Sequence, residues 1–277
     1  MSGSSYAAAV KQHEDARMNI VLLIFTATVV ACLFATGGVW LCRHLLRGRV
    51  ASGTHEVLVS ALFQTGGTLH AVFLAFLVVA VWQSYAAARA NVAEEASCLA
   101  TLYRMSTAMA PEMATPLRAA MRDYVEAVIR DEWSIQAERG GASERARAAS
   151  LAMYRLFGVQ TAAARKDEAA VDGAALTVMS QIQTDRNRRT LQAGESLPPI
   201  IWLAAIGSGL IVVSMSFFLF MEQAVPQMLV TSIMASTIAL LLCVTYVLSH
   251  PFAGPLALQP EAFLHTLQVF ASVDATR

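Results

Sequence analysis

The residues of this chain that could do chemistry gather in one stretch, 56–104. His70 is the only titratable group in an uncharged run from position 57 to 82. An ionisable side chain in so apolar a segment is costly and marks a candidate site for proton or ion handling. A neutral imidazole can equally hydrogen-bond across helices, with Gln64, Thr68, Ser208 or Thr237 as partners. Gln64 and Thr68 stand one helical turn apart and share a face, which either lines a wet vestibule or joins helices. Phe73, Leu77 and Val81 recur at i, i+4 and i+8, the spacing of one helix stripe. In a symmetric oligomer such a stripe from each subunit makes a hydrophobic constriction that gates by dewetting. In a single subunit it faces lipid or a neighbouring helix. Beyond the apolar run come Glu94 and Glu95. Rings of carboxylates select cations, so these two are candidates for a cytoplasmic ring; the competing reading is a solvated or salt-bridged carboxylate, paired with Arg89 or an Arg further along.

Enzyme chemistry has no foothold. The sequence carries no nucleophile motif, no Gly-rich phosphate loop and no HExxH. No catalytic residue, cofactor or metal site is expected. Cys32, Cys42, Cys98 and Cys243 are scattered, form no CxxC pair and read as small apolar fillers. His13, His44, His55, His250 and His265 are isolated. The formal net charge is zero, which argues against a nucleic-acid partner, since such a partner needs a basic patch.

The elements that must position these residues are membrane spans. The chain is 56% hydrophobic and 14% charged, where a soluble domain carries about a quarter charged residues. The deficit is concentrated in four segments, 18–42, 57–83, 198–221 and 226–249, each long enough to cross a hydrocarbon core, which takes about 20 apolar residues. The first is too long for a signal-peptide core and is followed directly by Arg43, His44, Arg47 and Arg49. Residues 1–17 form a polar N-terminal segment that could make a short surface helix. Pro198-Pro199 opens the third span, and the short link 222–225 makes a hairpin of the third and fourth.

Between the second and third spans lies a polar block, 84–197, and after the fourth a segment, 250–277. No Pro or Gly falls between Thr68 and Arg104, so the second span continues as one helix into the polar block. Met109-Ala-Pro111 breaks it. Thr115-Pro116 then reads as an N-cap and first helical position, with Leu117, Met121, Tyr124 and Val128 as the apolar stripe. Gly140-Gly141 ends that helix and Ser143-Glu144 starts the next, with Leu151, Tyr154 and Leu156-Phe157 as its apolar content. A further helix, 167–192, uses Val171, Ala175, Val178, Met179 and Ile182. Nothing alternates with period two, so the polar block reads as an antiparallel helical bundle. Pro251 and Pro255 interrupt the chain after the fourth span, and a short helix follows at 260–270.

With four spans, both termini and the polar block share a side. Lys11, Arg17, Arg89, Arg186, Arg188 and Arg189 lie near the spans on that side, against Arg43, Arg47 and Arg49 on the other. The six-to-three excess makes it the cytoplasmic side.

Several stretches together resemble the bacterial bestrophin-like family of four-span membrane proteins. They are His70-Ala-Val-Phe-Leu-Ala-Phe with Val81-Trp82, Ala88-Arg-Ala-Asn-Val92 leading to Glu95-Ala96, and Leu102-Tyr-Arg104. Asp123-Tyr-Val125, Glu132-Trp133, Arg188-Arg189, Leu197-Pro-Pro-Ile-Ile-Trp202, His250-Pro-Phe-Ala-Gly254 and Pro260-Glu-Ala-Phe263 follow in family order, so the resemblance spans about 56–267. One position departs from it: Ser249 stands where the family commonly has Asp, two places before the Pro of the Pro-Phe-x-Gly element. The resemblance reaches remotely to bestrophins, oligomeric anion channels with four spans and a cytoplasmic helical domain. It implies a homo-oligomer in the bacterial inner membrane.

The expected fold is therefore all-α: an integral membrane protein of four spans, with a cytoplasmic helical bundle that continues the second. The expected function is an oligomeric ion channel or pore, a ring of four or five subunits with the second span nearest the axis, its partners being the lipid bilayer and inorganic ions. The ion is an anion by the resemblance, or a cation where Glu95 lines the pore. The alternative is a non-conducting sensor or scaffold that couples the bilayer to a cytoplasmic partner.

Overall fold

The computed structural model describes residues 3–46, 53–160, 169–219 and 223–276, and all regular structure among them is helical. The basic link at Arg47 and Arg49 and the connection at Glu222 lie outside the described residues, as do the side chains of Lys11, Arg17, Phe157 and Val171. The chain divides into a span unit, residues 1–84 and 196–249, and a polar unit, residues 85–195 and 250–277.

The span unit is built from α1 (Gly3–Leu45), the first part of α2 (Gly53–Met105), α7 (Pro199–Ser216) and α8 (Ala224–Leu248). All four are long and apolar enough to cross a membrane. Helix α1 is continuous from Gly3, so the polar N-terminal segment is not a separate helix. It packs along α8 where Ala35 and Val39 meet Phe217 and Ala235. Gly38 makes this contact possible: a Cβ there would lie 2.3 Å from the Phe217 ring. With no hydrophobic drive between helices in lipid, close backbone approach at small residues and cross-helix hydrogen bonds hold such a unit together. One such bond joins Cys32 Sγ and Ser236 Oγ at 3.2 Å. Another closes the end of α7. The Gln227 amide donates to the carbonyls of Ser216 and Phe217 at 3.4 and 3.3 Å, and its Oε1 accepts from Arg43 Nε at 2.9 Å. The last carbonyls of a helix have no partner within it, so this side chain supplies one.

The polar unit takes the rest of α2, a 3₁₀ turn (Ser106–Ala108), α3 (Pro111–Ala127), a π-helical turn (Val128–Glu132), α4 (Trp133–Glu138), α5 (Glu144–Gln160), α6 (Ala169–Gly194) and α9 (Glu261–Ala275). Helix α3 starts at Pro111, not at Pro116. The missing N–H of Pro111 falls where no helical partner exists, and Met113 and Ala114 bond back to the Ala110 carbonyl. Pro116 is accommodated inside the helix. The core of the unit is Leu99, Tyr103, Leu117, Met121, Tyr124, Met153, Met179, Ile182, Phe263 and Phe270, all essentially inaccessible. Leu151, an expected core residue, is 49% exposed, and Met153 takes its place. Gly140 ends the segment with φ at +63°, and a Cβ there would sit 2.7 Å from the Gly194 Cα. Both constraints require glycine.

Residues 250–277 belong to this unit through α9. Phe270 stacks on Tyr103, with ring centroids 3.9 Å apart. Three residues from the chain end, Asp274 accepts hydrogen bonds from Tyr103 Oη at 2.8 Å, Arg118 Nη1 at 3.4 Å and Arg122 Nη2. Partial burial would raise the Asp274 carboxyl, but the Tyr103 hydroxyl and the Arg122 charge outweigh it and hold it below the usual range. A depressed carboxylate stabilises the folded state above its unfolded pKa, about 3.9, and that contribution fades as pH falls through the folded value. Protection factors of the α9 amides, with the intrinsic pH dependence of exchange removed, are therefore expected to be flat from pH 8 to about 5 and to fall below about 4. Asp274→Asn should show loosened α9 at neutral pH and no further acid response; an acid response equal to that of the parent would count against this anchor.

Candidate pore helix and its buried ion network

Helix α2 carries all eight candidate residues, and the structure sorts them by face. Within the span unit His70, Leu74, Leu77 and Val81 are 2–6% exposed. Leu74 and Leu77 pack with Ala205, and Phe73, Ile201 and Leu242 close around them. In the single subunit the expected gate stripe faces inward at Leu77 and Val81. Leu77 is covered by Ala205 and its neighbours in the same chain, and Val81 is buried as well. Phe73 sits at its edge, half-buried. The opposite face, Thr65, Leu69, Val72, Phe76 and Val79, is uncovered, with Phe76 73% exposed. Gln64 and Thr68 flank that open face at its 64–68 end and are exposed. The Thr68 hydroxyl donates to the Gln64 carbonyl within the helix at 2.8 Å.

His70 joins helices. Its Nδ1 lies 2.8 Å from Ser208 Oγ, one of the partners expected from sequence. Ser208 gives its own proton to the Ala204 carbonyl at 2.6 Å, so Nδ1–H is the donor and Nε2 the lone-pair side. Nε2 has no hydrogen-bond partner among the described residues. The ring lies against Gly209, where a Cβ would come within 3.3 Å of it.

Past the spans, α2 presents Glu94 outward and Glu95 inward. Glu95 is not open to a pore: it is fully buried. Arg189 of α6 grips it from Nε at 2.7 Å and Nη2 at 3.1 Å, and Tyr124 of α3 donates to it at 2.5 Å. The same guanidinium reaches Glu132 Oε1 at 2.8 Å and Gln136 Oε1 at 3.1 Å. Glu132 Oε2 accepts from Arg186 at 2.6 Å and from the Ser143 backbone N–H at 2.9 Å. The rings of Phe263 and Trp133 lie 5.5 and 5.7 Å from the Arg189 guanidinium carbon, at cation–π distance. Two arginines thus meet two carboxylates and the charges balance. Burial alone would depress the Arg189 guanidinium, but Glu95 and the carboxylate beyond it raise it instead. Burial, then the adjacent Glu95, pushes the Tyr124 hydroxyl well above its usual value, so it stays a proton donor.

Sequence reasoning kept a salt bridge to an arginine of the bundle as an alternative for Glu95, but it missed Glu132, Gln136 and Arg186 as members. The π turn had no sequence signal. It holds one extra residue in its turn and sets Glu132, Trp133 and Gln136 toward the core. Among the described residues, no cluster of three or more His, Cys, Asp or Glu is placed to hold a metal ion.

Removing one partner of a buried ion pair leaves the other charge without compensation and costs about 3–5 kcal/mol. Glu95→Gln and Arg189→Met are each expected to destabilise the polar unit by about that much. Urea unfolding of the full-length protein in mild detergent reads this out through Trp133 fluorescence, with Trp40, Trp82 and Trp202 replaced by Phe. Glu94→Gln, on the exposed face, should change it by no more than about 0.5 kcal/mol; equal effects at 94 and 95 would remove the network from its structural role.

The fold has counterparts among solved proteins. Three crystal structures of a bacterial Bestrophin homolog from Klebsiella pneumoniae match with TM-scores of 0.69, 0.68 and 0.63 at 14%, 13% and 14% identity. They cover 91%, 90% and 92% of this chain and 98% of the other chain in each case. At that identity the likeness is one of fold. No protein with a curated description matches in sequence. The Bestrophin-like domain model matches residues 29–263, which takes in the latter part of the first span, the other three spans and the whole Glu95–Arg189 network. With most of its length matched, the chain belongs to the Bestrophin-like family.

Proposed function

We propose that this chain is one subunit of a closed homo-oligomeric ring, of four or five copies, that conducts ions along its central axis. The carrying observation is the division of α2 into two faces: one packed on α7 of the same chain, the other uncovered over Thr65, Leu69, Val72, Phe76 and Val79. The polar side chains described within the span unit are few and mostly bonded to carbonyls of their own helix or to one another, so a single subunit offers no evident water path. A path between copies related by a rotation axis does not need one. Gln64 and Thr68 give the wet end of that path, and Phe76, flanked by Phe73, gives an apolar constriction that gates by dewetting. Glu94 is the carboxylate available to a ring at the cytoplasmic end; Glu95 is committed to Arg189. With Glu95 withdrawn, the resemblance to anion channels sets the ion, and Glu94 moderates that preference. The bacterial inner membrane, with termini and polar unit cytoplasmic, is the setting that the arginine distribution supports.

Purified protein in a planar bilayer under a salt gradient tests this reading. The parent should give single-channel currents, Phe76→Ala should raise basal current, and Glu94→Gln should shift the reversal potential toward anion permeation. Silence from assembled parent and variants across voltage, pH and membrane tension would replace the channel with a non-conducting scaffold. A monomeric mass in lipid discs would remove the ring as well.

A further inference from the structure

A second feature of the span unit is independent of the conduction path. Helices α1 and α7 stand apart over α8 and leave a groove of about 510 Å³ between them. Its floor is made of buried small and branched residues, among them Gly209, Val213 and Ala235, and its rim of exposed Val30, Ile206 and Leu210. Of the lining side chains, Trp202 and Tyr246 carry the nitrogen and oxygen atoms.

Three measures identify what fits. The first is length. The lining runs from Leu23 to Phe34 on α1, Trp202 to Val213 on α7 and Ala235 to Tyr246 on α8. Each is a step of eleven residues, about 16 Å of helix. That is half of a hydrocarbon core of about 30 Å, the depth of one leaflet. The second is volume. Spread over about 16 Å of length, the groove of about 510 Å³ has a mean cross-section of about 30 Å². A helix about 10 Å across presents about 80 Å², so a slender chain and not a span of a second copy enters it. The third is the asymmetry of the ends. Trp202 and Tyr246 meet edge to face at 6.0 Å, near the start of α7 and the end of α8. Those two points lie at the same membrane surface in an up-and-down arrangement, and amphipathic aromatics belong at headgroup level. The other end is closed in the bilayer interior by Phe34, which meets Phe217 at 5.7 Å.

We propose that this groove is a binding site for one acyl chain of a membrane phospholipid from the leaflet that faces the termini, with Trp202 and Tyr246 at the headgroup end. The site holds a lipid that travels with the protein, as distinct from the exchanging lipid around it.

The test uses the full chain, with Trp40 and Trp82 replaced by Phe so that Trp202 is the only span tryptophan. Native mass spectrometry after gentle detergent purification should show one retained phospholipid per subunit. Phosphatidylcholine brominated in its acyl chain should quench Trp202 in lipid discs at a small fraction of the labelled lipid needed to quench a tryptophan placed at exposed Leu203 in a Trp202→Phe background. Ala239→Phe or Ala27→Phe, each filling the groove from a different helix, should abolish retention and leave oligomer mass unchanged. No retained lipid in the parent, or equal quenching at the two positions, overturns the proposal. A change of oligomer mass in both filled variants also overturns it, by assigning the groove to a subunit contact. The parent measurements decide the matter even where a filled variant fails to fold.

Discussion

The buried charge of Arg189 is the constraint on which the polar unit depends. One guanidinium binds Glu95 of α2 and Glu132 of the π turn, receives support from Gln136 of α4, and lies between the rings of Trp133 and Phe263. Tyr124 of α3 and Arg186 of α6 complete the set. Each of these elements is therefore fixed in register by an interaction that cannot be shifted by a turn without burying an unpaired charge. An apolar core tolerates such shifts far better. Within the polar unit, the choice of which α2 side chains face inward is made by Glu95.

Helix α2 has a packed and an open face in each unit. Ala88, Val92, Glu95, Leu99 and Leu102 form one stripe at steps of three and four, and all are buried. Traced back along the helix, the packed face is the one bearing Val81, Leu77, Leu74 and His70. Phe76 and Val79 are left on the other side. Apolar content is similar on both faces, so hydrophobicity alone cannot say which one meets the chain's own helices. In the span unit the polar anchor His70 marks it, and in the polar unit Glu95 does.

Much of the fold was legible because lipid imposes it. Four charge-free runs, a Pro-Pro entry to the third span and a break at Pro111 located the helices, and the absence of period-two alternation excluded sheet. The corrections come from packing. Phe73, Leu77 and Val81 form a valid helix stripe, and periodicity cannot tell a stripe that meets α7 from one that meets a symmetry axis. The placement of Glu95 was readable in principle. It occupies an apolar heptad-like position on α2, and Ala175, Met179, Ile182, Arg186 and Arg189 make the matching stripe on α6. Charged residues of opposite sign at positions of two apolar stripes are a signature of a buried pair. Glu132 lacked even that signal, because the π turn that directs it inward has no sequence rule of its own.

The central claim is that the uncovered face of α2 looks onto water along an axis. Cysteine scanning of positions 62–83 in reconstituted protein, with the four native cysteines replaced, addresses it directly through modification by silver ion or a small charged thiol reagent. The account predicts aqueous reactivity repeating every three to four residues and centred on positions 65, 69, 72, 76 and 79, with positions 74, 77 and 81 silent. Reactivity confined to lipid-soluble reagents at 69, 72 and 76 would place that face in the bilayer and contradict it.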